Sequence, residues 1–160
     1  LYLYSLKRPS GPNGDGAVAA RGRRIFAREL CGGCHRPPLY TSNKLTFARG
    51  FEPSAEHRKE RDLAGLTVGT DPGLATRTRR GTGLYKVPSL RGVWLRGPLS
   101  HDGSVATLED WFDPRRLRDD YVPTGFKGWR VSARAVPGHP YGLYLPPDEK
   151  AALIAFLRTL

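Results

Sequence analysis

The feature that most constrains this chain is the run Cys31-Gly32-Gly33-Cys34-His35. The chain has only two cysteines, and both stand in this run. Two thiols this close could close a redox disulfide. That reading wants a preceding strand and a βαβ pattern, and neither is present. The histidine directly after the second cysteine turns the reading to covalent haem attachment. The two-residue gap lets one turn of chain present both sulfurs to one edge of a porphyrin. The next residue then falls beneath the iron, where its imidazole can ligate it. Gly32 and Gly33 carry no side chain to obstruct that edge. The bland alternative is a structural dithiol beside a surface histidine.

The expected fold must supply a second axial position. The chain contains no methionine, so the Met/His pair of many electron carriers is excluded. The remaining strong ligands are His57, His101 and His139. His57 lies in Glu56-His57-Arg58-Lys59-Glu60, which reads as solvated surface. His101 lies in Ser100-His101-Asp102-Gly103-Ser104, and could ligate, hold a propionate or structure the turn. His139 lies in the rigid loop Pro137-Gly138-His139-Pro140. An open iron position, Tyr or Lys completes the alternatives.

Around the motif the pattern is helical at both ends of the chain and loop-rich between them. Residues 1–14 read as a tail, with Asp15 placed to cap a helix. Val18, Gly22, Ile25, Phe26 and Leu30 recur at helical spacing over about 15–31. Gly and Pro punctuate residues 36–100, where short helices are expected near 54–64 and 71–79. Thr107 and Asp110 have capping-box spacing for a helix over 107–112. Pro146-Pro147 followed by Asp148 and Glu149 opens a last helix, 148–160, with Ala152, Leu153, Phe156, Leu157 and Leu160 on its apolar face.

The formal net charge of +11 favours acidic partners. The basic residues are scattered in clusters at Arg21–Arg24, Arg77–Arg80 and Arg115–Arg118. No nucleic-acid motif accompanies them, so solvated surface is the simplest reading of each, and no nucleic-acid partner is expected. No stretch of about 18 apolar residues is present, so no transmembrane segment is expected in this chain. Leu1-Tyr2-Leu3-Tyr4 is too short for a signal h-region. It reads as a processing stub, an edge strand or a packed tail.

Several segments resemble known haem proteins. Gly22 and Phe26 ahead of the haem motif resemble the first helix of c-type cytochromes, which implies that Gly22 lets the last helix cross closely and that Phe26 meets Phe156 there. In small c-type cytochromes the second ligand typically comes from the loop before the last helix, which implies His139. The stretch Tyr85-Lys86-Val87-Pro88-Ser89-Leu90-Arg91-Gly92-Val93-Trp94, then His101-Asp102-Gly103-Ser104-Val105-Ala106-Thr107-Leu108-Glu109-Asp110, resembles the C-terminal haem domain of the bacterial di-haem cytochrome c peroxidase family. So does the ending Leu153-Ile154-Ala155-Phe156-Leu157-Arg158-Thr159-Leu160. This chain departs from that family in having one haem motif and no distal methionine, so it looks like a monohaem relative. The resemblance places Arg91 against a haem propionate; a surface arginine is the alternative.

The expectation is a mostly α cytochrome c fold around one covalent haem c, with long loop insertions, comprising a tail over 1–14 and a cytochrome c domain over 15–160. Cys31 and Cys34 attach the haem, and His35 and His139 hold the iron. Attachment of c-type haem occurs outside the cytoplasm, so the protein is expected to be periplasmic or extracytoplasmic, either free there or associated with a membrane. The expected function is one-electron transfer, as a carrier or as a subunit of a larger redox complex. The expected partner is a redox protein with an acidic docking surface, which a membrane-bound complex could provide. The enzyme alternative is peroxide reduction at an open iron, with His101 and Asp102 or Glu109 as distal acid and base. A third class is a structural haem module docked through Leu1–Tyr4.

Overall fold

The computed structural model describes residues 11–12, 16–77 and 81–160. Leu1–Tyr4, the Asp15 cap, and Arg79 and Arg80 of the second basic cluster lie outside the described residues.

Helix α1 spans Ala17–Arg28 and buries Ala19, Gly22, Ile25 and Phe26. Two members of the expected stripe do not belong to it. Val18 is exposed, and Ala19 takes the inward position at its end of the helix. Leu30 is 81 % exposed because α1 stops at Arg28 and Leu30 takes a left-handed conformation, φ 56°, that turns its side chain outward. Spacing alone carried the stripe past the end of the helix.

The last helix spans Pro147–Leu157, with Pro147 in its first turn, where a missing N–H costs nothing. It is the fifth α-helix of the described residues, α5. Asp148 and Glu149 sit at its positive end and pair with α1, Asp148 with Arg21 at 2.6 Å and Glu149 with Arg28 at 2.5 Å. Ala152, Leu153, Ile154, Phe156 and Leu157 are all buried.

The α1–α5 crossing organises the core. A Cβ at Gly22 would run into the carbonyl oxygen of Ala152, so only glycine permits this approach. Phe26 and Phe156 meet edge to face at 5.4 Å, and Tyr40 adds a third ring at 6.0 and 6.1 Å from them. Each such aromatic pair contributes about 0.5–1.5 kcal/mol beyond its burial. The partnership of Gly22, Phe26 and Phe156 thus has the form expected of it.

Between α1 and α5 the chain makes a loop-rich excursion. Strand β1, Leu45–Phe47, pairs antiparallel with β2, Leu84–Lys86, in the register Leu45 to Lys86 and Phe47 to Leu84. Helices α2, Ala55–Glu60, and α3, Gly73–Arg77, lie between the strands and are shorter than the pattern implied. Helix α4, Leu108–Trp111, begins as expected: Thr107 Oγ1 accepts from the Asp110 amide at 3.1 Å and donates to the Asp110 carboxylate at 2.7 Å. A 3₁₀ turn follows at Pro114–Leu117. Leu108 and Phe112 join the α1–α5 core. The regular structure is mostly helical with little strand.

Candidate functional site

Cys31 opens a 3₁₀ turn, Cys31–Gly33, that begins after Glu29 and the left-handed Leu30 end α1, and Cys34 closes it. The Gly33 amide bonds the Leu30 carbonyl at 3.0 Å and the His35 amide bonds the Cys31 carbonyl at 2.8 Å, which winds the motif into one compact turn. Both thiols are free and half-buried. Burial, with Glu29 nearby, pushes the Cys31 thiol up to about 11.

His35 is oriented through one ring nitrogen, Nδ1, which lies 3.2 Å from the Tyr40 carbonyl oxygen. With Nδ1 donating there, Nε2 is the nitrogen that would face a metal, as in the usual second-sphere arrangement. Burial lowers the pKa of His35; carbonyls of Tyr40 and Pro88 oppose that shift.

His139 approaches from the 137–140 loop. Its ring centroid lies 6.5 Å from that of His35, with the planes at 59°. It touches Trp111 at 5.4 Å and Tyr141 at 5.5 Å. Burial, then the neighbouring His35 and Arg116, lowers its pKa to about 4. Its Nδ1 is buried and has no hydrogen-bond partner among the described residues.

The residue that fixes this loop is Arg116. It is fully buried, which corrects its assignment to a solvated Arg115–Arg118 surface. Its Nε donates to the Trp111 carbonyl at 2.9 Å, Nη1 to Val136 at 2.8 Å and Nη2 to His139 at 2.7 Å. The guanidinium also stacks over the Trp111 ring at 4.5 Å. Burial lowers its pKa to about 10. No sequence signal separated it from its neighbours: Arg115 and Arg118 are exposed and pair with Asp113 and Asp120.

The other candidates lie elsewhere. His101 Nε2 is 2.9 Å from the Asp71 carboxylate, and its ring lies 4.8 Å from Tyr85. Asp102 binds Arg134 at 2.6 Å, and Glu109 pairs with Arg158 at 2.7 Å. His101, Asp102 and Glu109 thus have other partners, and none of these contacts involves His35 or His139. His57 lies on α2, half-buried rather than solvated, with its Nδ1 buried and without a partner among the described residues. Arg91 is half-buried, and Trp94 Nε1, three residues on, is buried without an acceptor among the described residues.

The donor set fits a haem. A metal–imidazole nitrogen bond of about 2.0–2.1 Å, the value for zinc, puts two opposed imidazole centroids about 6 Å apart. The observed separation of 6.5 Å matches that spacing. Cys31 and Cys34 supply the two thiols that covalent attachment needs, and the buried Nδ1 of His139 has no protein partner among the described residues.

Helices crossing at Gly22, with His35 and His139 brought into ring contact, fit a cytochrome-like fold with a haem-related redox role. The chain is 28 % identical over 153 residues to the methylamine utilization protein MauG of Methylorubrum extorquens, covering 91 % of this chain and 35 % of that one. It is 35 % identical over 106 residues to the uncharacterized protein y4iJ of Sinorhizobium fredii, covering 48 % and 18 %. A crystal structure of a MauG-like protein associated with microbial copper homeostasis superimposes with a TM-score of 0.53 at 25 % identity, covering 91 % of this chain and 47 % of that one. The chain thus spans less than half the length of each of these. No family model matches it.

Proposed function

We propose that the chain holds one haem c, attached through Cys31 and Cys34, with His35 and His139 as axial ligands, and serves in one-electron transfer. The observation that carries this reading is the 6.5 Å separation of the two imidazoles. A haem iron bound there would supply a one-electron couple. The protein's own part is positional. The Tyr40 carbonyl orients His35, Arg116 grips the carbonyl of His139, and the Phe26–Tyr40–Phe156 cluster packs dry apolar surface beside Cys31. If His35 and His139 both hold the iron, no position would be left for peroxide, which favours electron transfer over the peroxidase-like enzyme. The family resemblance supports Arg91 as the contact for a haem propionate.

The similarity to MauG and to the MauG-like structure supports the haem-related part of the reading. Because c-type haem is attached outside the cytoplasm, the protein belongs in the periplasm or another extracytoplasmic space. Among the described residues no helix is long and apolar enough to cross a membrane. A net charge of +11 suits a redox partner with an acidic face.

The test is direct. Acid denaturation followed by organic extraction should leave the haem on the protein, and replacing both cysteines should release it. The ferric spectrum should be low-spin. His139→Ala should turn it high-spin while His101→Ala leaves it low-spin. Haem lost to the solvent refutes attachment, and the reverse spin result moves the ligand role to His101. Steady peroxide turnover by the wild-type protein, at about 1 per second or faster, would establish the peroxidase reading instead.

A further inference from the structure

The loop that returns to His139 carries a second feature that the haem site does not use. Residues 116–121 run out and 134–136 run back, joined by the bonds Val136 amide to Arg116 carbonyl at 2.6 Å and Arg134 amide to Tyr121 carbonyl at 2.7 Å. Between them, Val122, Phe126, Trp129 and Val131 all point into solvent. Trp129 is 89 % exposed and Phe126 56 %. Single exposed apolar residues are ordinary. Four within ten residues, including two aromatics, are not.

The tip is held rigidly. The Gly125 amide bonds Ser104 at 3.0 Å and the Phe126 amide bonds Gly103 at 2.7 Å. Beneath it, Arg134 donates to the Lys127 carbonyl at 2.9 Å while binding Asp102. Gly128 at φ 105° and Arg130 at φ 60° turn the chain sharply on both sides of Trp129. The outward aromatics are thus a built surface on an anchored frame.

Its charge selects the occupant. Lys127 and Arg130 alternate with the aromatics, and no acidic residue occurs from 121 to 136. Both are exposed, and neither forms an ion pair among the described residues. Tryptophan is amphipathic and favours the headgroup layer of a bilayer, and each nearby Lys or Arg is attracted by anionic lipid. A protein interface would set such anchors in a complementary patch of about 800 Å² per partner. A projecting tip needs no matching shape when it enters a lipid surface.

We infer that the 122–131 loop is a membrane-docking tip that seats Trp129 and Phe126 in the headgroup layer of an anionic bilayer, with Lys127 and Arg130 on the lipid phosphates. This inference does not depend on the haem reading.

The experiment is co-sedimentation of the full chain with vesicles of phosphatidylcholine alone, and of phosphatidylcholine mixed with phosphatidylglycerol. The protein should partition onto the mixed vesicles and stay in solution with the neutral ones. Trp129→Ala with Phe126→Ala should lower the partition coefficient about tenfold. Lys127→Glu with Arg130→Glu should lower it by about tenfold or more. The exposed pair Lys59→Glu and Arg61→Glu should stay within about twofold. Circular dichroism checks that each variant keeps its fold. No binding to mixed vesicles overturns the inference. So does equal loss from the tip and from the 59/61 variant, which would mean the total charge acts without the tip. A tip variant that slows reaction with an acidic protein, in a chain that never binds vesicles, would assign the tip to protein docking and overturn it too.

Discussion

The guanidinium of Arg116, with no exposed surface, donates a 2.7 Å hydrogen bond to the carbonyl oxygen of His139. One buried cation therefore sets the backbone of the residue that faces His35. The same side chain satisfies the carbonyls of Trp111 and Val136, which ties α4 to the loop. Burying a charge is tolerable only when its donors are matched, and here three carbonyls and the Trp111 ring do the matching.

Arg116→Met removes that donor and strands three carbonyls. Each unsatisfied buried acceptor costs about 1–3 kcal/mol, partly offset because the buried charge is gone. We expect a net loss of about 3 kcal/mol in a urea denaturation series. The exposed Arg115→Met should shift stability by no more than about 0.5 kcal/mol. In haem-loaded protein the Arg116 variant should also show a growing high-spin fraction, although its imidazoles are intact. Equal losses at positions 115 and 116 would mean that burial gives Arg116 no special part.

Gly22 makes the second prediction. A methyl group there meets the Ala152 backbone, which cannot rotate aside as a side chain would. Gly22→Ala should improve intrinsic helix propensity by about 1 kcal/mol. It should nonetheless destabilise the protein by about 3 kcal/mol, because the α1–α5 crossing must open. Gly16→Ala has open space around its Cβ and should lack that penalty. Thermal unfolding of both variants gives the comparison, and a stabilised Gly22→Ala would show that the helices do not cross there.

The legible parts of this fold share a property: their signals are local. The capping pair Thr107 and Asp110, the proline opening α5 and the five-residue haem motif each specify structure within one or two turns. The Gly22–Phe26–Phe156 crossing was readable only through resemblance to cytochromes. What stayed hidden is non-local. β1 and β2 are three residues each and lie far apart in the chain, so neither shows a periodic pattern. Arg116 sits among arginines that look alike in sequence, and only the fold brings the carbonyls of residues 111, 136 and 139 around it. The turn of His101 toward Asp71 likewise depends on where the excursion returns.

Asp102 gives a pH prediction. Burial opposes its ionisation, but the Ser104 amide and Arg134 outweigh burial and hold its pKa below the ordinary carboxylate value. A folded-state pKa below the unfolded one, about 3.9, adds stability above that value. The contribution is lost as pH falls through the folded pKa. Arg134→Gln should therefore lower the urea midpoint at neutral pH, and the gap to wild type should close as pH falls below the ordinary carboxylate range. A gap that stays constant with pH would show that Arg134 acts through packing and its bonds to the loop carbonyls, not through the Asp102 charge.

The last prediction concerns approach to the candidate haem edge. Arg36 follows His35 directly and is exposed, and Arg24 lines a cleft of about 370 Å³ on α1 beside Arg21 and Arg28. Arg21 and Arg28 are already offset by Asp148 and Glu149, while Arg24 and Arg36 are exposed basic residues close to the motif in the chain. If electrons enter near Cys31 and Cys34, a small anionic reductant should react faster than a cationic one at low ionic strength. Reversing one charge changes the interaction with a singly charged donor about 10 Å away by about 0.8 kcal/mol in water, or about fourfold in rate. Arg36→Glu should show a slowing of that size. Arg61→Glu, in the excursion next to α2, should show little. Screening acts over about 8 Å at physiological salt, so the Arg36 effect should fade as salt is added. The measurement is the second-order reduction rate across ionic strength for wild type and both variants. A slowing shared equally by positions 36 and 61 would mean that the whole protein's charge attracts the donor. A rate for Arg36→Glu that matches wild type at low salt would place electron entry away from the Cys31–Cys34 edge.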